Sequence, residues 1–99
     1  MLIQLNDGTS LDVSSISATE WRNVRRHTGH NPVEFFVAIG EVEIESVEAL
    51  YWLVQKRNGN NHNIGQMDFP LMEFLESWRE AEAAAAGQDE VAPAGPKDQ

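Results

Sequence analysis

The stretch Ser46-Val47-Glu48-Ala49-Leu50-Tyr51-Trp52-Leu53-Val54-Gln55-Lys56-Arg57-Asn58-Gly59 decides the fold. Val47, Leu50, Tyr51 and Val54 recur at the spacing of one helical face, and Trp52 and Leu53 widen that face. The pattern predicts a central buried helix. Ser46 is placed to cap its start, Lys56 and Arg57 suit the negative end of its dipole, and Asn58-Gly59 terminates it.

Upstream, Ser17-Ala18-Thr19-Glu20 has the spacing of a capping box, with Ile16 and Trp21 placed as a hydrophobic staple. Gly29 can take the left-handed conformation that ends a helix, so a first helix is predicted from Ala18 to Thr28. Asn31-Pro32 reads as a cap followed by proline at the first helical position, and Val33 to Ile39 as a second helix. Gly40 and Glu41-Val42-Glu43-Ile44-Glu45 suit an extended or turning segment, with a continuous helix as the alternative. Asp7-Gly8 lies between the short alternating runs Leu2 to Asn6 and Ser10 to Val13, which predicts an amino-terminal hairpin rather than a loose arm. Downstream, Asn58 to Gly65 is a loop. Asp68 and Pro70 then open a fourth helix in which Leu71, Phe74, Leu75 and Trp78 repeat at i, i+3, i+4 and i+7, with an alanine-rich extension to Ala86. The expected fold is mainly α: a small single domain of about four helices over residues 1–86, with a short amino-terminal β-hairpin and a disordered carboxyl-terminal tail, 87–99.

Composition narrows the function. Seven Lys and Arg against sixteen Asp and Glu leave a net charge of -9, which opposes a phosphate backbone, so nucleic acid is not an expected partner. The absence of cysteine excludes disulfides, thiolate metal sites and cysteine nucleophiles, and the cytoplasm is the expected compartment. No apolar run approaches the roughly 18 residues that span a bilayer, and no basic-then-apolar leader opens the chain, so no membrane association is expected.

The chemistry-bearing residues are sparse. His27 and His30 have a spacing met in metal sites, but Gly29 breaks the helix between them and no Cys or neighbouring acidic pair completes a tetrahedron. They and His62 are read as surface or capping residues, and no metal is expected. Glu41, Glu43 and Glu45 lack an associated nucleophile or histidine and read as a solvated acidic edge or a docking strip for a basic partner. Gly59 to Gly65 lacks the Lys-Ser/Thr of a phosphate loop, so no nucleotide or other cofactor is expected. Arg22, Arg25 and Arg26 form a basic patch on the first helix. Against the net charge, pairing with the chain's own acidic strip or with an acidic partner is expected ahead of RNA contact.

Three stretches in this order, Ser17-Ala-Thr-Glu-Trp-Arg-Asn-Val-Arg-Arg-His-Thr-Gly29, Val47-Glu-Ala-Leu-Tyr-Trp-Leu-Val-Gln-Lys-Arg-Asn-Gly59 and Met67-Asp-Phe-Pro-Leu-Met-Glu-Phe-Leu75, resemble the tail assembly chaperones of long-tailed (siphovirus-type) phages, particularly those of actinobacteria. The resemblance spans roughly residues 1–86 and lies in order and spacing rather than in any one signature; the Asn/His-rich loop and the Phe35-Phe36 pair depart from the usual pattern. It implies a non-enzymatic protein of the infected bacterium's cytoplasm, absent from the mature virion, that binds the tape measure protein and helps tail-tube subunits assemble around it. Self-association is left open. It also implies a longer form made by ribosomal frameshifting, for which Gly95-Pro96-Lys97 permits a slippery codon set. Candidate partner contacts are Phe35, Trp52, Met67, Phe69 and Met72, with core packing as the alternative for each, together with Arg22, Arg25 and Arg26. The rival expectation is an acidic adaptor that mimics nucleic acid and inhibits a host protein. A mimic needs its acids spaced along one face, whereas a chaperone needs an apolar patch. A small enzyme is nearly excluded by the missing constellations.

Overall fold

The computed structural model describes the chain through residue 91, and side-chain surroundings through residue 86. β1 (Leu2–Gln4) pairs antiparallel with β2 (Ser10–Asp12), bringing Ile3 opposite Leu11. Both are buried while their strand neighbours are more exposed, so the hairpin is amphipathic with period two. Each strand is shorter than expected. The Asp7 carboxylate accepts from the Thr9 backbone N–H (3.0 Å) and hydroxyl (2.6 Å), and so takes the intervening residues into a turn.

A short 3-10 turn over Val13–Ser15 leads into α1 (Ala18–Thr28). Its capping box is complete: the Ser17 hydroxyl accepts from the Glu20 N–H at 3.2 Å, and Glu20 Oε1 accepts from the Ser17 N–H at 2.8 Å. Gly29, at φ +80°, closes the other end. α2 (Pro32–Gly40) opens with a second capping box, Asn31 with Glu34, and turns Phe35, Ala38 and Ile39 into the core.

α3 (Ile44–Arg57) is the central element, packed against α1, α2, β2 and α4 (Leu71–Val91). It begins two residues before the expected cap. Glu43 takes the cap position as the chain leaves a turn at Glu41 and Val42, and Ser46, fully buried inside the first turn, donates its hydroxyl to Glu43 Oε1 at 2.8 Å. Glu41 to Glu43 therefore breaks the helix as one of the two expectations had it, but the break is shorter than expected, because Gly40 still belongs to α2 and Ile44 and Glu45 already belong to α3.

Side chains tie the hairpin to this frame. Asn58 Nδ2 donates to the carbonyls of Val54 (2.6 Å) and Ser10 (3.0 Å), and Ser77 Oγ on α4 accepts from the Asn6 N–H at 3.3 Å. The helical backbone of α4 continues past Ala86 to Val91. The rest of the expected tail, with Gly95-Pro96-Lys97, lies outside the described residues.

The loop from Asn58 to Pro70 is held by its own anchors. Trp52 Nε1 donates to the His62 carbonyl at 2.8 Å, and Phe69 stacks on Tyr51 with ring centroids 4.0 Å apart. Gly65 sits at φ +83° under the His27 ring, where an added Cβ would meet His27 Cε1 at 3.0 Å. Gly65→Ala is therefore expected to cost about 1–2 kcal/mol in chemical denaturation, from the left-handed backbone and the displaced imidazole together. Gly40→Ala, with open space around its Cβ, is expected to be neutral or slightly stabilising.

Candidate functional site

α2 carries one charged residue, Glu34, in its nine. A helix this apolar is normally covered on all sides, yet only one side of α2 is. Phe35, Ala38 and Ile39 face inward, while Val33 and Val37, one turn apart, are 75% and 58% exposed. Ile44, just past the corner into α3, is 56% exposed. A shallow groove of about 270 Å³ runs along this face, floored by Val33 and Val37 and rimmed by Glu34, Glu41 and Glu43.

The corner beside it is pinned. The backbone N–H groups of Glu41, Val42 and Glu43 all donate to carbonyls of the last turn of α2, at 3.0–3.1 Å. Val42 is held at φ 60°, a left-handed conformation that a β-branched residue rarely adopts. The Glu43 carboxyl is held below the usual carboxylate range by the Ser46 hydroxyl and by His30, whose Nε2 lies 2.8 Å away. His27 makes the parallel contact with Glu48 at 3.2 Å. Both histidines thus sit on α3 carboxylates, a pairing between distant parts of the chain. Among the described residues no group of three or more potential ligands gathers to hold a metal.

The expected partner contacts fall into different environments. Phe35 is wholly buried, edge-on to Trp21 (5.6 Å) and Phe36 (5.2 Å), and offers no surface to a partner. Trp52 is 7% exposed, its indole N–H satisfied by the loop and its ring under Lys56 Nζ at 5.2 Å. Phe35 is thus a core residue packed on Trp21 of α1, whereas Trp52 is closed over by the loop at His62 and borders a surface hollow with Asn23, Arg26 and His27. Met67 and Phe69 are half-buried and pin the loop against the core, leaving Met72, 60% exposed, as the one of the five that faces outward.

Arg22, Arg25 and Arg26 are all exposed, and none forms an ion pair among the described residues; Arg26 Nη1 reaches only Asn23 Oδ1, at 3.3 Å. The expected pairing with the chain's own acidic strip does not form. That strip is split, with Glu41 and Glu45 exposed and Glu43 committed to His30 and Ser46.

Sequence reasoning missed the outward valines, whose only signal is an i, i+4 pair on a helix with no polar face. It also missed the strongest ion pair. Glu20, whose side chain is 3% exposed, receives both terminal nitrogens of Arg57, with Nη2 2.6 Å from Oε1, and Lys56 Nζ lies 3.4 Å from Oε2. Arg57 Nη2 also donates to the Ser15 carbonyl at 2.8 Å. Arg57 holds the Glu20 carboxyl down to about 2.

No family model matches this chain, and neither does any curated protein or solved structure.

Proposed function

We propose that this protein is a non-enzymatic tail assembly chaperone of a long-tailed phage. On this reading it works in the cytoplasm of the infected bacterium, binds the tape measure protein and delivers it to assembling tail-tube subunits. The observation that carries the reading is the uncovered apolar face of α2 on an otherwise strongly acidic chain. A holding protein must stay soluble while presenting apolar side chains. A net charge of -9 meets the first requirement, and the exposed Val33 and Val37, with Glu34, Glu41 and Glu43 lining the same groove, meet the second. No helix among the described residues is long and apolar enough to cross a membrane, which agrees with a partner in solution.

One observation favours the rival. Glu73, Glu76 and Glu80 are exposed and recur along one face of α4, as a nucleic-acid mimic would need. That row spans only about 10 Å of helix, and several other acids are turned inward, Glu20 onto Arg57, Glu43 onto His30 and Glu48 onto His27. A mimic also has no use for exposed valines beside its carboxylates, so the chaperone reading accounts for more of the surface.

Co-expression with the tape measure protein of the same genome is expected to move that protein from the insoluble to the soluble fraction and to yield a complex on size exclusion. An unchanged solubility together with no co-elution overturns the reading.

A further inference from the structure

We infer that the outer face of α2 receives an amphipathic helix whose apolar stripe is flanked by Lys or Arg. This deepens the protein-binding reading above and rests on it only for the identity of the natural client.

The occupant is a helix because of what α2 can offer. Its backbone hydrogen bonds are closed within the helix and its caps, so no strand can add to it. What remains is side-chain packing. Val33 and Val37 form a ridge of i, i+4 spacing, and such a ridge fits the groove between side-chain rows of a second helix. The pinned corner at Glu41, Val42 and Glu43 fixes how the chain leaves α2, and Ile44, the first residue of α3, is exposed just past it. Left-handed backbone at a β-branched residue costs about 1–3 kcal/mol and persists where the surroundings over-determine it. Here it persists beside an uncovered apolar strip.

The flanks are basic because of what surrounds the ridge. Glu34, Glu41 and Glu43 rim the groove and Glu45 follows on α3. The groove's one titratable counterpart, His30, is bound to Glu43, and Arg79, which reaches this end of α2 from α4, donates to the Gly40 carbonyl. Glu41 and Glu45 form no ion pair among the described residues. An incoming helix with acidic flanks would meet like charge at Glu34, Glu41 and Glu43 beside the ridge, and one with basic flanks would find partners there.

The test uses the full chain and two fluorescein-labelled synthetic helical peptides with the same leucine stripe, one flanked by Lys and one by Glu, read by anisotropy. The Lys-flanked peptide is expected to bind about tenfold or more tighter at low salt, with the gap narrowing as salt is added. The doubly substituted Val33→Ser/Val37→Ser chain, altered only at exposed positions, is expected to keep its helical circular dichroism and lose about tenfold in affinity. Glu41→Gln/Glu45→Gln is expected to shrink the difference between the peptides while leaving the fold intact.

Equal binding of the two peptides, or full affinity in the serine variant, overturns the proposal. So does a dimer of the native chain that the serine variant abolishes while neither peptide binds, because the occupant is then a second copy. Failure here separates from failure of the chaperone reading. A tape measure complex that survives Val33→Ser/Val37→Ser removes this surface and leaves the chaperone standing, whereas peptide discrimination without any tape measure complex does the reverse.

Discussion

Replacing Arg57 with Met is expected to lower the thermal unfolding midpoint by about 15 °C or more, the largest loss available from one surface-reaching side chain. Arg57 stands at the last residue of α3 and ties it to two other elements through three groups: the Glu20 carboxylate of α1, and the carbonyl and, at 3.2 Å, the hydroxyl of Ser15 in the 3-10 turn. Removing one partner of a buried pair leaves an uncompensated charge and costs about 3–5 kcal/mol. Each kcal/mol shifts the midpoint of a domain this size by about 4–8 °C. Lys56, 3.4 Å from the same carboxylate, holds the loss toward the lower end. Arg57→Lys is expected to fall between, because a point charge cannot make two parallel N–H contacts with the carboxylate while also reaching Ser15.

The same pair sets an acid limb. The Arg57 hydrogen bonds lower the Glu20 carboxyl from 4.5 to about 2 in the folded protein. A carboxyl depressed on folding contributes stability that is complete above its unfolded value and is lost as pH falls toward the folded one. The shift corresponds to about 3 kcal/mol, so resistance to chemical denaturation should weaken between about pH 5 and pH 2 in the native chain. In Arg57→Met that slope is expected to flatten. A variant with an unchanged midpoint and an unchanged acid slope would remove Arg57 from the frame of the molecule.

What could be read from the sequence divides along a physical line. α1 matches its expected bounds because both of its ends are set by residues within four positions: the Ser17 and Glu20 box and the left-handed Gly29. α3 emerges as the central helix because its apolar pattern is local. The Glu20–Arg57 pair was out of reach because it joins residues 37 apart in sequence, and each had a sufficient local explanation, a capping carboxylate for one and a dipole partner for the other. The start of α3 was misplaced for a related reason. Ser46 is a good capping residue, but the turn at Val42 delivers the chain to Glu43 already aligned, and the serine's hydroxyl is then donated to the glutamate. Likewise the i, i+4 spacing of Val33 and Val37 is plain, but which side of an almost wholly apolar helix meets α3 is decided by packing. The larger Phe35 and Ile39 won the inside, so Phe35, one of the candidate contacts, is enclosed while Val33 and Val37 face outward.

Phe35→Ala is accordingly expected to cost about 3–5 kcal/mol in urea unfolding, and Met72→Ala to stay within about 0.5 kcal/mol of the native chain. Phe35 is fully enclosed, and its ring meets Trp21 and Phe36 edge-on, so truncation removes both its buried area and the contacts that set α2 against α1. A domain of this size has a margin of about 5–15 kcal/mol, so the variant should lose a large share of it. On the proposed function, any loss of client binding in it would then follow from unfolding of the proposed platform on α2. Met72, 60% exposed, can be shortened without that consequence, so a change in client binding there would report contact directly. The midpoint denaturant concentration measured for both variants, with circular dichroism of the folded baseline, separates the cases. A Phe35→Ala chain that keeps native stability but no longer binds a client would mean that α2 turns Phe35 outward, and the valine face described above would then be the buried one.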